Sequence, residues 1–333
     1  MCKNGYAKVF PKWLPAVLFS LSALPSQAQT CMTAADTDQA TATALVSTAT
    51  RFYELAARGD SASLRQSAIS SLASDFSGIE SAVKENQANL SGVKPLTRPP
   101  YLLKAEGTAA LERAEFLCGV FGAQGQTRDS AVFIIPNLPP GNYGIVTLDA
   151  ASPQGTYTVS FVLQQQGSDW KLGGFYAKPA EIGGHDGNWF ATQAREYKSK
   201  GQLRNSWFYF SEARELLVPL PFMATATTDK LYDEMQTVKP ADPIPLDLPA
   251  AGKTVQVTDL FPVQVGHEFD LVVKYRAADV SDTGKTFQEN LAVMKAVLAK
   301  YPECRDAFGG LVVRAVEPSG KDYGSMLPMK DIK

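Results

Sequence analysis

Histidine is almost missing from this chain: only His185 and His267 occur in 333 residues. Sites built on several imidazoles are therefore excluded, and neither residue has partners at a metal-ligand spacing. His267-Glu268 begins an H-E-x-x-H pattern, but Leu271 stands where the second histidine belongs. Cysteine is scarce as well, and Cys2, Cys31, Cys118 and Cys304 lack the close pairs of a structural zinc site. A Gly-x-Ser-x-Gly nucleophile elbow does not occur. With 32 basic residues against 34 acidic ones and no basic cluster, the chain has no face for neutralising phosphates, so nucleic acid is not an expected partner. Beyond the N-terminal segment no apolar run approaches the roughly twenty residues that cross a bilayer. No metal and no cofactor is expected.

What is present begins with an export signal. Lys3, Lys8 and Lys12 precede an apolar run from Trp13 to Leu24, and Ser26-Gln27-Ala28 places small residues three and one before a cut. The expectation is an extracytoplasmic protein, periplasmic or secreted, cleaved near Ala28. Gln29 and Thr30 do not fit a lipobox ahead of Cys31, so no lipid anchor is expected. In an oxidising compartment, Cys31, Cys118 and Cys304 allow one internal bridge at most. Cys31 with Cys118 is the favoured pair, because a polar N-terminal segment reaches a neighbouring strand more easily than Cys304 does from a separate domain. The alternative is that Cys118 stays a buried thiol.

The organising element is the stretch from His185 to Phe222. Phe190, Ala194 and Tyr197, then Leu203, Trp207, Phe210 and Leu217, recur at helical spacing on one face of each of two segments. Gly201 suits the left-handed cap of the first, and Pro219 with Pro221 stops the second. On this reading Trp207 and Phe210 are core, whereas Phe208 and Tyr209 point elsewhere and, with the loop residue His185, form the candidate binding surface. Phe190, Ala194, Tyr197, Gly201, Phe210 and Ala213 make residues 185–238 resemble one tetratricopeptide unit, with departures at Leu203 and Ser206 and no second copy. Such units bury their faces by stacking, so a lone one implies a neighbouring domain to lean on.

Ahead of the hairpin, Leu45, Phe52, Leu55 and Ala56 mark a helix closed by Gly59. Leu64, Ile69 and Leu72 mark a second helix, and Phe76, Ile79, Val83 and Leu90 a third. Pro95, Pro99 and Pro100 end the helical region, and six short β-like runs follow between Tyr101 and Tyr176, read as antiparallel neighbours. Helices followed by a meander that ends in Asp169-Trp170-Lys171-Leu172-Gly173-Gly174-Phe175 resemble the nuclear-transport-factor-2-like superfamily, including SnoaL-like proteins, which implies a cone-shaped α+β domain over residues 41–180. A competing resemblance lies in Asn137-Leu138-Pro139-Pro140-Gly141-Asn142-Tyr143, similar to a turn of prealbumin-like modules, which implies a small sandwich behind a separate helical bundle.

After the hairpin, Pro240 to Pro249 reads as an extended linker over residues 239–252. Residues 253–333 follow as a small α+β domain. Phe269, Leu271, Val273 and Tyr275 alternate as a strand; Phe287, Leu291, Met294, Leu298 and Tyr301 form a helical stripe; Leu311 to Val316 is a further strand. The fold class is thus α+β: N-terminal helices with an antiparallel curved sheet, a central helical hairpin and a small C-terminal α+β domain. Residues 1–28 are the leader and residues 29–40 a polar segment.

Two remaining motifs carry no chemistry. Gly284-Lys285-Thr286 lacks the first glycine of a phosphate loop, since Asp279 stands there, and Ser81-Ala82-Val83-Lys84 has none of the companion motifs of penicillin-recognising enzymes. The functional expectation is a secreted or periplasmic non-catalytic binding or assembly protein, its partner another protein or a small ligand, with the cone and hairpin forming one unit and the last domain attached through the proline-rich linker. The alternative is a small-molecule-binding protein or enzyme that uses the interior of the cone, as SnoaL-like relatives do.

Overall fold

The computed structural model describes residues 29–121, 125–127, 129–153, 155–242, 244–266 and 268–333. The leader and His267 lie outside the described residues. The fold is α+β.

The N-terminal half opens with β1 (Gln29–Met32) and α1 (Gln39–Ala57). Asp38 caps α1 by accepting from the Thr41 amide, and Gly59, at φ 72°, takes the chain out of it. The periodic residues Leu45, Phe52, Leu55 and Ala56 are all buried. Where one helix is expected across Leu64, Ile69 and Leu72, there are two, α2 (Ser61–Gln66) and α3 (Ser70–Ser74). The break has a plain cause: Ile69 donates its amide to the Leu172 carbonyl and Leu172 donates to Ser67, so strand-like pairing at Ala68 takes over the backbone. Next come α4 (Ser77–Leu90), β2 (Leu96–Thr97), β3 (Tyr101–Ala105), β4 (Leu111–Cys118), β5 (Ala131–Leu138), β6 (Gly141–Ser152), β7 (Gly155–Gln166) and β8 (Asp169–Pro179).

These strands do not make one sheet. The main sheet runs β1-β3-β6-β7-β8, with β2 beside β6, while β4 and β5 belong to a second sheet. Three layers result. The helices fill one face of the main sheet, where Phe161 packs between Phe52 and Phe175 at ring separations of 6.1 and 5.5 Å. Helix α1 approaches β6 so closely that a Cβ on Gly144 would lie 2.1 Å from Leu45 Cδ2, so glycine is required there. On the opposite face the two sheets share a core that includes Leu103, Phe116, Phe133 and Ile145. Pro139-Pro140 forms the turn at which the chain leaves the second sheet for the first, and Tyr143 ties it by donating to the Pro139 carbonyl at 2.7 Å. Cys31 on β1 and Cys118 on β4 are joined by a disulfide between the sheets, with Cα atoms 4.9 Å apart. Cys304 is a buried free thiol, pushed up to about 12 by burial.

Beyond β8 come the short strands β9 (Glu181–Ile182) and β10 (His185–Asp186), then α5 (Gly187–Ser199), α6 (Leu203–Leu217), β11 (Met223–Thr225) and α7 (Ala226–Gln236). Strand β11 pairs antiparallel with β5, so the chain returns after the helical hairpin to complete the second sheet of the N-terminal half. The rest forms a five-stranded sheet, ordered β12-β13-β14-β15-β16, from β12 (Leu246–Ala250), β13 (Lys253–Val265), β14 (Glu268–Arg276), β15 (Gly310–Val316) and β16 (Asp322–Pro328). β14 and β15 are parallel, joined through α8 (Thr283–Lys300), as a strand–helix–strand order requires.

Two boundaries differ from the sequence reading. The expected linker, residues 239–252, contains β12, which pairs with β13 along its whole length. Its proline content misleads because β12 is an edge strand, where proline is tolerated. The hairpin also leans on the C-terminal sheet rather than on the N-terminal half: Phe190, Tyr209 and Phe210 share one core with Phe269, Leu271 and Val293.

Candidate functional site

A cleft lies where the hairpin meets the C-terminal sheet. Gly183 and Gly184, with φ of 59° and 78°, turn the chain back on itself so that His185 pairs with Ile182. Asp186 then caps α5, accepting from the Trp189 amide at 2.9 Å. That cap fixes the first helical turn and lays the His185 ring flat on Trp189, with centroids 3.7 Å apart and planes 10° from parallel. Beneath this shelf Trp189 meets Phe190 edge-on at 5.1 Å, and Phe190 contacts Tyr209 and Phe269 at 5.3 and 5.0 Å. Across the gap stands Glu268, at the start of β14, with Gly309 beside it. The resulting cleft encloses about 560 Å³, in the range of small-ligand pockets.

His185 is exposed and Trp189 partly so, while the rings below them are buried and held in place. Tyr209 donates its hydroxyl to the Ala307 carbonyl at 2.5 Å, and Tyr197 donates to Asp306 at 2.8 Å. Burial, with Tyr197 beside it, drives the Tyr209 hydroxyl far above the phenol range, so it serves as a hydrogen-bond donor and not as an acid or base near neutrality. The arrangement offers a flat aromatic surface, an apolar floor and one carboxylate, which suits a planar or cationic group and supplies no activated nucleophile.

Of the three candidate surface residues, His185 and Tyr209 come together at this cleft, and Phe208 does not. Phe208 and Tyr209 are not a surface patch: each is 5% exposed, with Phe208 packed edge-on against Phe308 at 6.0 Å. The apolar face of α6 is turned from the expected one. Leu203 is 45% exposed and Trp207 only half-buried, whereas Asn205, Ser206, Tyr209 and Ala213 are buried. The packed side is disguised by polar residues that bond to backbone: Asn205 donates to the Glu303 carbonyl at 2.6 Å and Ser206 to the Ala194 carbonyl at 2.8 Å.

The other motifs are placed plainly. Ser81 and Lys84 lie on the exposed side of α4. Asp282 caps α8 by accepting from the Lys285 amide, so a carboxylate already occupies the position an anion would take, and Thr286 donates to the Asp282 carbonyl. Sequence reasoning missed Glu268 and Asp270; the signal for the second was an aspartate inside the apolar run Phe269-Asp270-Leu271-Val272-Val273. Among the described residues no helix is long and apolar enough to cross a membrane. No family model, curated protein or solved structure matches the chain.

Proposed function

We propose that this is an extracytoplasmic, non-catalytic binding protein whose recognition site is the cleft between the helical hairpin and the C-terminal sheet. The observation that carries the reading is the His185–Trp189 stack, an aromatic pair held at the mouth of a cleft by a capped helix rather than buried in a core. The Cys31–Cys118 bridge supports export, since such bridges persist in oxidising compartments. The order of α1–α4 before the antiparallel sheet supports the nuclear-transport-factor-2-like reading, and the α5–α6 pair with Gly201 at φ 75° supports the tetratricopeptide-like one. Binding in the cone interior has no comparable support, because Leu45, Phe52, Phe161 and Phe175 occupy that space.

Nuclear magnetic resonance titration with a library of uncharged aromatic fragments tests the site. Shifts are expected at the Trp189 indole N–H and at Gly309; both should vanish in His185→Ala, and the Gly309 shift should vanish in Trp189→Ala. Binders gathered instead against Phe161 and Phe175, or turnover of any fragment, would overturn the reading. Intact mass of the exported chain tests the compartment: a species beginning near Gln29 is expected, and retention of Trp13 to Leu24 contradicts it.

A further inference from the structure

A second pocket, of about 650 Å³, adjoins the cleft and shares Glu268 and Gly309 with it. It lies at the N-terminal ends of the parallel strands β14 and β15. Glu268 and Asp270, two apart on β14, project from the same face of the sheet. The register that sets Leu271 beside Leu311 brings Gly310 alongside Asp270. Two glycines face the carboxylates, and the Leu327 carbonyl crowds the second of them at 3.0 Å from a Cβ on Gly310. A Cβ on Gly309 would lie 2.7 Å from Glu268 Oε2 and 3.3 Å from Asp270 Oδ1, and one on Gly310 would lie 3.1 Å from Asp270 Oδ1. Two carboxylates therefore converge to within 3.3 Å of one point, against backbone that carries no side chain.

Asp270 is fully buried, and neither of its oxygens has a hydrogen-bond partner of ordinary geometry. Its carboxyl is raised by burial, the Gly310 amide opposes the rise, and the Glu268 charge adds to it. Among the described residues no lysine or arginine forms an ion pair with either group. Arg305 lines the same pocket, but its two terminal nitrogens are given to the carbonyls of Met329 and Ile332 at 2.9 and 2.7 Å. Lys330 lines it as well, with its side chain in solvent. An uncompensated buried carboxylate beside a second acid is costly to hold, and a cation entering the pocket removes that cost. A divalent metal is not indicated, because no group of three acidic, histidine or cysteine side chains converges among the described residues. Met326, Pro328 and Met329 form apolar walls, which suit a methylene chain behind the charge.

We infer that this pocket binds a primary alkylammonium group, with Glu268 as the contacting carboxylate, Asp270 as the buried charge behind it and the alkyl stem against Met326 and Pro328. The inference deepens the reading of the adjoining cleft as a recognition site. A free diamine and the side chain of a partner's lysine present the same chemistry.

The test is calorimetric titration of the full chain with 1,5-diaminopentane and with an N-acetylated, amidated Gly-Lys-Gly peptide. 1-Pentanol serves as the neutral control and calcium chloride as the metal control. Binding of either amine without pentanol is expected, and tighter binding of the peptide would name a lysine side chain as the source. Glu268→Gln, at an exposed position that leaves the fold intact, should weaken the amine by about tenfold, as loss of a charge-assisted hydrogen bond does. Asp270→Asn should weaken it as well while melting no lower than the parent. Trp189→Ala should leave amine binding unchanged; loss of fragment binding in that variant with amine binding retained separates the two sites. Equal heats for pentanol, calcium binding in place of the amine, or full amine affinity in both carboxylate variants would overturn the inference.

Discussion

In the N-terminal half, buried polar atoms are paired with one another. Thr147 and Ser160 share a hydrogen bond of 2.9 Å and Tyr53 donates to the Leu90 carbonyl, while nearer the surface Arg98 grips Asp149 with two nitrogens at 2.8 and 2.7 Å. In the C-terminal half, Asn205 Oδ1 and both oxygens of Asp270 are buried without a hydrogen bond of ordinary geometry, the Gly310 amide being the one donor that bears on Asp270. The N-terminal half also carries the disulfide and spends its aromatic rings on a filled interior, whereas the C-terminal half brings His185 and Trp189 to the edge of a cleft. Satisfied polar groups stabilise, and unsatisfied ones are retained where something else is to meet them. The proposed recognition site thus falls in the half that leaves polar atoms unmet, and the half that pairs them is the one closed by the disulfide.

The comparison breaks most visibly at the disulfide. Cys31 and Cys118 are 87 residues apart, and closing a loop of that length restricts the unfolded chain by on the order of 4 kcal/mol. Guanidinium unfolding of the Cys31→Ser/Cys118→Ser protein should show that loss in the N-terminal half. Hydrogen exchange should leave Leu271 and Val293 protected, and loss of protection there would mean that the halves do not act separately. Next in size, Phe210→Ala removes a fully buried ring at the centre of the C-terminal core and should cost about 3–5 kcal/mol. Trp207→Ala, at a half-buried site, should cost less than half as much, and equal costs would restore the face first read from the sequence.

A smaller effect lies at the seam. Glu212 on α6 is raised from its ordinary 4.5 to about 7, mainly by burial and further by the Glu215 charge, against the opposing charge of Lys178. The folded protein therefore holds that proton more tightly than the unfolded chain does. Its contribution is complete below pH 4.5 and is lost as pH rises through about 7. Melting temperature should fall over this interval by more in the parent than in Glu212→Gln, and identical profiles would remove Glu212 from the account. Smallest of all, His185→Ala should change stability by no more than about 0.5 kcal/mol, as exposed substitutions do, while cleft binding disappears.

Much of the fold was legible where one physical rule acts alone. The 3.6-residue spacing of Leu45, Phe52 and Ala56 marks α1, and Gly201 marks the end of α5, because burial and a left-handed cap leave local traces. Legibility failed where distant backbone intervenes. Nothing near Ala68 announces that Leu172 will claim its neighbours' amide and carbonyl, and nothing in Pro240 to Pro249 announces an edge strand. The site was half visible. His185 could be singled out as a loop histidine before a cap, but its stack on Trp189 depends on the helix register. Asp270 was hidden because alternation draws attention to the apolar face of β14, and its meaning arises only when β15 brings Gly309 and Gly310 against it.

The return of β11 to β5 bears on how the molecule comes into being. Phe222 gives its carbonyl to the Ile134 amide, and Leu220 and Phe222 seal the core between the two sheets. A nascent chain emerging in order has made β5 long before Thr225 appears, with the whole α5–α6 hairpin between them. Until then the second sheet is one strand short and its edge lies open, a template for any extended segment nearby. A truncation after Pro179 would make that interval permanent, so the N-terminal half cannot be isolated by cutting at the end of β8; a genetic fragment of it has to carry residues 220–225 as a separate or fused strand.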